Sequence, residues 1–156
     1  MFDPRKATGK LRAELSNAVV PTPTGRFVPY KRVGRMIYLS GQTCSLHDVM
    51  VYRGAVGADL TIEQAQKAAR LCMLNLLAAL DLALQGNDAK VECLSIKAYV
   101  QVVAGISDFD QIIAGATNLL MELGTSTPSW TMQVLGSSAL PGDASIEIEA
   151  VFITHQ

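Results

Sequence analysis

Residues 61–85, TIEQAQKAARLCMLNLLAALDLALQ, have the spacing of a long amphipathic helix. Thr61 and Gln64 predict its first turn, because the threonine hydroxyl can accept the amide proton three residues on while the glutamine side chain reaches back. Gly86 and Asn87 predict its end. Apolar residues follow helical spacing for about six turns and include Ile62, Ala65, Ala69, Cys72, Leu76, Leu80 and Ala83. Other elements of the fold must therefore cover this face.

The segments before this helix favour extended structure. Residues 1–25 end in two prolines, Pro21 and Pro23, which remove backbone donors and bias the chain to extended conformations, so we interpret them as an N-terminal arm. Two β-rich runs follow, 27–33 and 36–40, and the intervening Gly34 suits a tight turn. These runs predict a hairpin, and residues 41–59 are expected to form a loop.

The segments after the helix predict a strand, a second helix and two further strands. Polar and apolar residues alternate over 95–102, which is typical of a strand with two unlike faces. Ser107 is a candidate N-cap for a helix that ends near Gly124. The runs 131–135 and 145–154 favour strands around a turn-prone segment. The order ββαβαββ predicts an α+β fold with one mixed sheet and both helices on one face.

The other face of this sheet is expected to be incompletely polar. If Ile146, Ile148, Ala150 and Phe152 face the helices, the opposite side of the last strand still carries Val151 and Ile153 beside Glu147 and Glu149. Exposed apolar surface of this kind predicts association of subunits through the open face.

Composition limits the domain count and the partners. A chain of 156 residues with 49% apolar content can enclose one core and is too short to expect two. The net charge is −1 and the pI about 6.1, so no basic surface for a polyanion is expected. Nucleic acid is therefore not predicted as a partner.

The sequence also predicts a cytoplasmic protein without metal or cofactor. The first residues lack the apolar run of a secretory signal, and the most apolar segment, 71–84, is shorter than the roughly 20 residues needed to cross a membrane. Cys44, Cys72 and Cys93 are widely spaced and fit reduced, structural thiols, although Cys44 is also a candidate cleft thiol. His47 and His155 have no second ligand at metal spacing.

Four stretches, taken together and in order, resemble the reactive intermediate deaminase (RidA, YjgF-like) family. They are 27–29 with 36–42 (MIYLSGQ), 57–65 (GADLTIEQA) through 70, Leu140-Pro141, and 146–150 (IEIEA). The resemblance covers roughly residues 26–154, so 26–156 is assigned as one RidA-like domain. It implies a chorismate-mutase-like homotrimer in which the sheets form an inner barrel and small-molecule ligands bind in clefts between subunits.

The resemblance also implies a set of site residues. Ser40, Gly41 and Gln42 fall at the cleft end of the first hairpin, and Glu147 falls on the acidic position that assists attack of water on a C=N carbon. The family arginine that holds a substrate carboxylate through a bidentate ion pair is absent: Trp130 or Met132 aligns there, and no lysine or arginine occurs from 123 through 156. Phe27 replaces a tyrosine, and Ile113 and Ala114 stand where an asparagine is usual.

Three functions are compatible with these residues. The first is an enzyme with altered chemistry that acts on a small carbonyl, imine or enamine compound, with Glu147 as its catalytic residue. The second is a non-catalytic, ligand-binding homotrimer, in which Glu147 is an ordinary strand residue and Trp130 packs at a subunit interface instead of stacking on a ligand. The third is endoribonuclease activity, which some relatives carry as a label and which the acidic pI disfavours.

Overall fold

A computed structural model of the chain describes residues 1–86, 89–124 and 127–155. A five-stranded mixed sheet has the order β1-β2-β7-β5-β6. Neighbouring strands are antiparallel except for β5 and β6, which run parallel. The strands are β1 (Tyr30–Val33), β2 (Met36–Thr43), β5 (Lys90–Gln101), β6 (Thr131–Ser137) and β7 (Ile146–His155), and a small separate hairpin consists of β3 (Ser45–Leu46) and β4 (Val49–Met50).

Helices α2 (Ile62–Leu84) and α3 (Phe109–Glu122) pack on one face of the sheet, which confirms the predicted α+β class. The predicted capping box of α2 is present: the Gln64 amide donates to Thr61 Oγ1 at 3.2 Å, and the Thr61 amide donates to Gln64 Oε1 at 2.9 Å. Gln85 ends the helix in the left-handed conformation with φ of 50°. The predicted stop included Asn87, which lies outside the described residues.

The N-cap predicted for α3 was wrong by one residue. The Ser107 carbonyl accepts a bond from the Phe109 amide at 2.8 Å, which closes a tight turn before the helix. The Asp108 carbonyl instead accepts the first helical bond, from the Ile112 amide at 3.2 Å. Asp108 is therefore the N-cap, although its side chain makes no capping bond.

The two faces of β7 differ as the alternation predicted. Ile146, Ile148, Ala150 and Phe152 are buried against the helices, whereas Glu147, Glu149, Val151 and Ile153 are half-buried on the open face. The hairpin forms, but β1 begins at Tyr30 instead of residue 27, and β2 continues to Thr43. Within the segment expected to be a loop, residues 45–50 form the β3–β4 hairpin.

The N-terminal arm is more structured than the sequence indicated. It contains a short 3-10 turn, Pro4–Lys6, and helix α1 (Gly9–Asn17), so the described residues form three α-helices. Phe2 bridges to Val91 of β5 and packs edge-on against Phe152, with ring centroids 6.2 Å apart. Arg70 of α2 binds Glu14 of α1 at 2.6 Å. The arm is therefore docked along the helical layer.

Across the described parts of the chain, α2 is the longest helix, and none of the helices combines the length and apolar character needed to cross a bilayer.

Candidate functional site

A cavity of about 420 Å³ opens where β2 ends and β7 begins. One wall comes from the arm, which contributes Pro21 through Thr24, and another from Phe27 and Pro29. The remaining lining residues come from the end of β2, the β3–β4 hairpin, the turn before β7 and the start of β7, namely Gly41, Gln42, Thr43, Ser45, Asp48, Met50, Pro141 and Glu147. Phe27, Gly41, Gln42 and Glu147, which the resemblance implied as site residues, thus line one cavity in a single protomer.

A β-bulge in β2 sets the position of Gly41. Leu39 pairs with Ala150 and Gln42 pairs with Ile148, so two residues, Ser40 and Gly41, face one residue of β7. Ser40 is used structurally: its Oγ donates to the Val28 carbonyl at 2.6 Å, and its amide donates to the Pro29 carbonyl at 3.0 Å. Ser40 therefore fixes the segment that carries Phe27 and Pro29 and does not itself line the cavity.

Gly41 leaves room for the Glu147 carboxylate. A Cβ atom on residue 41 would overlap Glu147 Oε1 and would lie 3.0 Å from Glu147 Cδ and 3.2 Å from Cγ. The backbone of Gly41 does not adopt a positive φ, so the need for glycine comes from this close approach rather than from the turn. The bulge and the missing side chain together place a carboxylate over the end of β2.

Glu147 is half-buried and forms neither an ion pair nor a hydrogen bond with any residue that the structure describes. Burial raises the pKa of its carboxyl group, and the nearby Glu149 raises it further. Glu149, two residues along the same strand, differs because Lys97 Nζ binds it at 3.0 Å. A partly desolvated carboxylate without a partner, in a cavity, is the arrangement expected of a general base or of a ligand-binding group.

Gln42 is the most buried polar side chain of the cavity, with 4% of its surface exposed. Its Nε2 donates a long bond, 3.4 Å, to the Ser40 carbonyl, which identifies Oε1 as the free end of the amide. Oε1 accepts no hydrogen bond from any described residue. The amide therefore offers an acceptor to a bound molecule.

The arm wall is attached through Asp48, a contact that sequence reasoning missed. The Thr22 amide donates to Asp48 Oδ1 and its hydroxyl donates to Oδ2, both at 2.8 Å. These bonds lower the pKa of Asp48.

His47 and Asp48 both have positive φ, 49° and 62°, and form the two-residue loop between Leu46 and Val49. Asp tolerates this conformation, but His-Asp is a weak hairpin signal compared with Asn-Gly, so this turn was not predicted.

Comparisons with known proteins identify the family. The family model for YjgF/chorismate mutase-like proteins, described as putative endoribonuclease, matches residues 8–146. The chain belongs to this YjgF-like family. It is 24% identical over 151 residues to Protein TCP17 of Trypanosoma cruzi, across 93% of this chain and 94% of that protein.

Solved structures share the fold of this YjgF-like chain. Atu1372 from Agrobacterium tumefaciens, a protein with unknown function, is 29% identical with a TM-score of 0.81, over 92% of this chain and 91% of that one. The E. coli YjgF gene product is 25% identical with a TM-score of 0.62, over 88% and 93% of the two chains. The resemblance predicted from the sequence is thus confirmed at the level of family and fold.

Four predicted site residues of the YjgF-like chain lie away from Glu147 within one protomer. Trp130 directly precedes β6 and Met132 lies in β6, the edge strand two strand spacings, or roughly 10 Å, from the strand β7 that carries Glu147. Trp130 is half-buried and packs partly on the core. Ile113 and Ala114 lie on α3, on the helical side of the sheet, and Ile113 is fully buried. Trp130 and Met132 can share a cavity with Glu147 only if a second copy supplies them, whereas Ile113 belongs to the core of its own protomer.

The three cysteines carry free thiols. Cys44, Cys72 and Cys93 are all buried, and Cys44 is not among the cavity-lining residues. Cys44 Sγ lies 3.1 Å from the Tyr52 carbonyl and Cys72 Sγ 3.4 Å from the Ile146 carbonyl, so both thiols are used as donors to the backbone. Burial raises the pKa of Cys93 to about 12. Within the described residues, no three potential metal ligands come together.

Proposed function

We propose that this YjgF-like protein hydrolyses the C=N bond of a small imine, or of the enamine in equilibrium with it, at the cavity beside Glu147. The observation that carries the proposal is the Glu147 carboxylate, which is partly desolvated, has no partner among the described residues and occupies space that only a glycine at position 41 leaves open. Structural carboxylates on this face, such as Glu149, are ion-paired instead.

Glu147 would act as the general base toward water. Hydrolysis of a protonated imine consumes one water: its oxygen bonds to the carbon, the C–N bond breaks, and the products are a carbonyl compound and ammonium. Glu147 would accept a proton from the attacking water and return it to the departing nitrogen, so its raised pKa brings it closer to the range that suits both transfers.

The cleft is proposed to be completed in a homotrimer, with Trp130 and Met132 of one copy approaching the cavity of the next. Apolar residues on the open sheet face, the exposed Tyr38 and the half-buried Val151 and Ile153, support such association because they would otherwise contact water. The proposed location of the activity is the cytoplasm.

The test is turnover of imines generated in situ by an amine oxidase, with decay of the imine followed against the spontaneous rate. Glu147→Gln should lose at least about 100-fold of the protein-dependent rate, because a positioned general base contributes factors of this order. Glu149→Gln is the matched control, because it removes a carboxylate from the same strand and face, and it should retain activity. Wild-type rates in Glu147→Gln would contradict the assignment.

Non-catalytic ligand binding is the second candidate, favoured by the apolar character of Phe27 and Met50 in the cavity wall. Under this alternative a ligand would bind unchanged, and neither carboxylate variant would alter its chemical fate. Endoribonuclease activity, the label in the family description, is disfavoured by the net charge of −1. RNA cleavage abolished by Glu147→Gln would restore that alternative.

A further inference from the structure

The walls of the cavity carry negative charge. Asp48 and Glu147 are carboxylates, and none of the lining residues among those described is a lysine, an arginine or a histidine. Asp48 is fixed as a carboxylate by the two bonds from Thr22. An anionic ligand would therefore meet the like charge of the half-buried Glu147, with that of the exposed Asp48 in addition, which is unfavourable.

Two cations on neighbouring elements are held elsewhere. Lys97 binds Glu149 at 3.0 Å, and Arg53 Nη1 donates to the Gly142 carbonyl at 2.9 Å. A second copy that contributed the Trp130 segment would add no cation, because residues 123–156 contain no lysine or arginine. The negative charge thus persists in a cleft completed by that segment.

Two further groups in the cavity favour a cation that carries N–H donors. Gln42, 4% exposed, leaves Oε1 without a donor from any described residue, so this amide oxygen can accept an N–H of a ligand. The Phe27 ring lines the same cavity and is half exposed. The face of an aromatic ring attracts a nearby cation and repels an anion.

We propose that the cavity selects small organic cations, protonated amines or iminium ions on an apolar body, and rejects compounds with a carboxylate. The inference rests on the proposed ligand site and names its substrate class: imines derived from amines rather than from amino acids. Glu147 supplies the counter-charge, Gln42 Oε1 accepts an N–H, and Phe27 with Met50 contacts the apolar body.

Three probes of nearly equal size test the inference by equilibrium binding: benzylammonium, benzyl alcohol and benzoate, titrated by calorimetry into the wild-type protein at neutral pH. Benzylammonium is expected to bind at least about tenfold more tightly than benzyl alcohol, and benzoate more weakly than both, since tenfold is the effect of one modest charge interaction. Equal affinities, or a preference for benzoate, would overturn the inference without any variant.

A variant that removes the charge of Glu147 tests whether this carboxylate causes the preference for the cation. Glu147→Gln should reduce benzylammonium affinity about tenfold or more while changing benzyl alcohol affinity less than about twofold. Glu149→Gln should leave the order of the three probes unchanged. Circular dichroism checks that each variant is folded. Undiminished discrimination in a folded Glu147→Gln protein would remove Glu147 from the proposed site.

The binding experiment and the turnover assay can fail independently of each other. Selective binding of benzylammonium without imine hydrolysis would refute the proposed catalysis and leave the ligand class intact. Hydrolysis of 2-imino acids at rates equal to those of amine-derived imines, with no preference among the three probes, would support catalysis and refute the ligand class.

Discussion

Gly115 of α3 lies directly against the backbone carbonyl of Gln66 in α2, so closely that a Cβ on residue 115 would overlap that oxygen. The Gln66 side chain reinforces the contact, because its Nε2 donates to the Gln111 carbonyl of α3 at 3.0 Å. The backbones of α2 and α3 are therefore in direct contact at this point, with no space between them for a side chain.

We expect Gly115→Ala to destabilise the protein by about 1–3 kcal/mol, because the new methyl group would force the helices apart. The sign of the stability change is informative, because a Gly→Ala substitution at an exposed helix position stabilises a protein by up to about 1 kcal/mol. Urea unfolding measures the difference. Asn118→Ala, at an exposed position of the same helix, is the control, and a stabilised Gly115→Ala protein would show that the helices can separate without cost.

Gly41→Ala is expected to weaken benzylammonium binding about tenfold, as Glu147→Gln does, with little change in stability. The added methyl group would meet the end of a flexible glutamate side chain, so Glu147 can move aside at small cost but leaves its position over β2. Comparison of probe affinities and unfolding free energies measures both effects. In a Glu147→Ala background, Gly41→Ala should have no additional effect on binding, and an unchanged penalty there would mean that position 41 acts independently of the carboxylate.

Glu147→Gln is expected to stabilise the protein at neutral pH, by on the order of 1 kcal/mol. Burial raises the pKa of Glu147 in the folded state, so the folded chain holds its proton to higher pH than the unfolded chain does. Ionisation above the folded-state pKa therefore costs stability, which glutamine avoids. Below the unfolded-state pKa, Glu147 is protonated in both the folded and the unfolded chain. The stability gain of Glu147→Gln should therefore disappear at about pH 3.5. Urea unfolding at the two pH values checks this, and a pH-independent difference would argue against desolvation as its cause.

Thr22→Val should raise the pKa of Asp48 toward its ordinary value and accelerate amide exchange in residues 21–24. The substitution preserves shape but removes the hydroxyl that donates to Asp48 Oδ2 at 2.8 Å, a bond that stabilises the carboxylate form. NMR titration of the carboxyl carbon and hydrogen exchange measure the two effects. Thr24→Val, in the same cavity wall, should leave the Asp48 pKa unchanged; a shift as large as that in Thr22→Val would point to a general loosening of the arm.

The parts of the fold that the sequence predicted are those encoded locally. The Thr61–Gln64 capping box needs only four consecutive residues, and the two faces of β7 follow from alternation within one strand. Helix α1 was missed because residues 9–17 show only a weak apolar stripe and bury no residue fully, and because its attachment through Glu14 depends on Arg70, which is 56 residues away.

The candidate site was only partly predictable for the same reason. Gly41, Gln42 and Glu147 came from the family resemblance, and the strand pairing brings them together. Asp48 was missed because its role depends on Thr22, 26 residues earlier, and on an unusual left-handed turn. Trp130 and Met132 were predicted beside the ligand, but their position in the protomer shows that only a second copy could place them there.

Strand β7, the last to leave the ribosome, occupies the middle of the sheet between β2 and β5. Until it is made, the β1–β2 hairpin and the β5–β6 pair have no backbone bonds to one another, and Gly41 has no carboxylate beside it. Vectorial synthesis thus leaves two half-sheets with open edges waiting for a single closing segment, so core and cavity are completed in the same late step of folding.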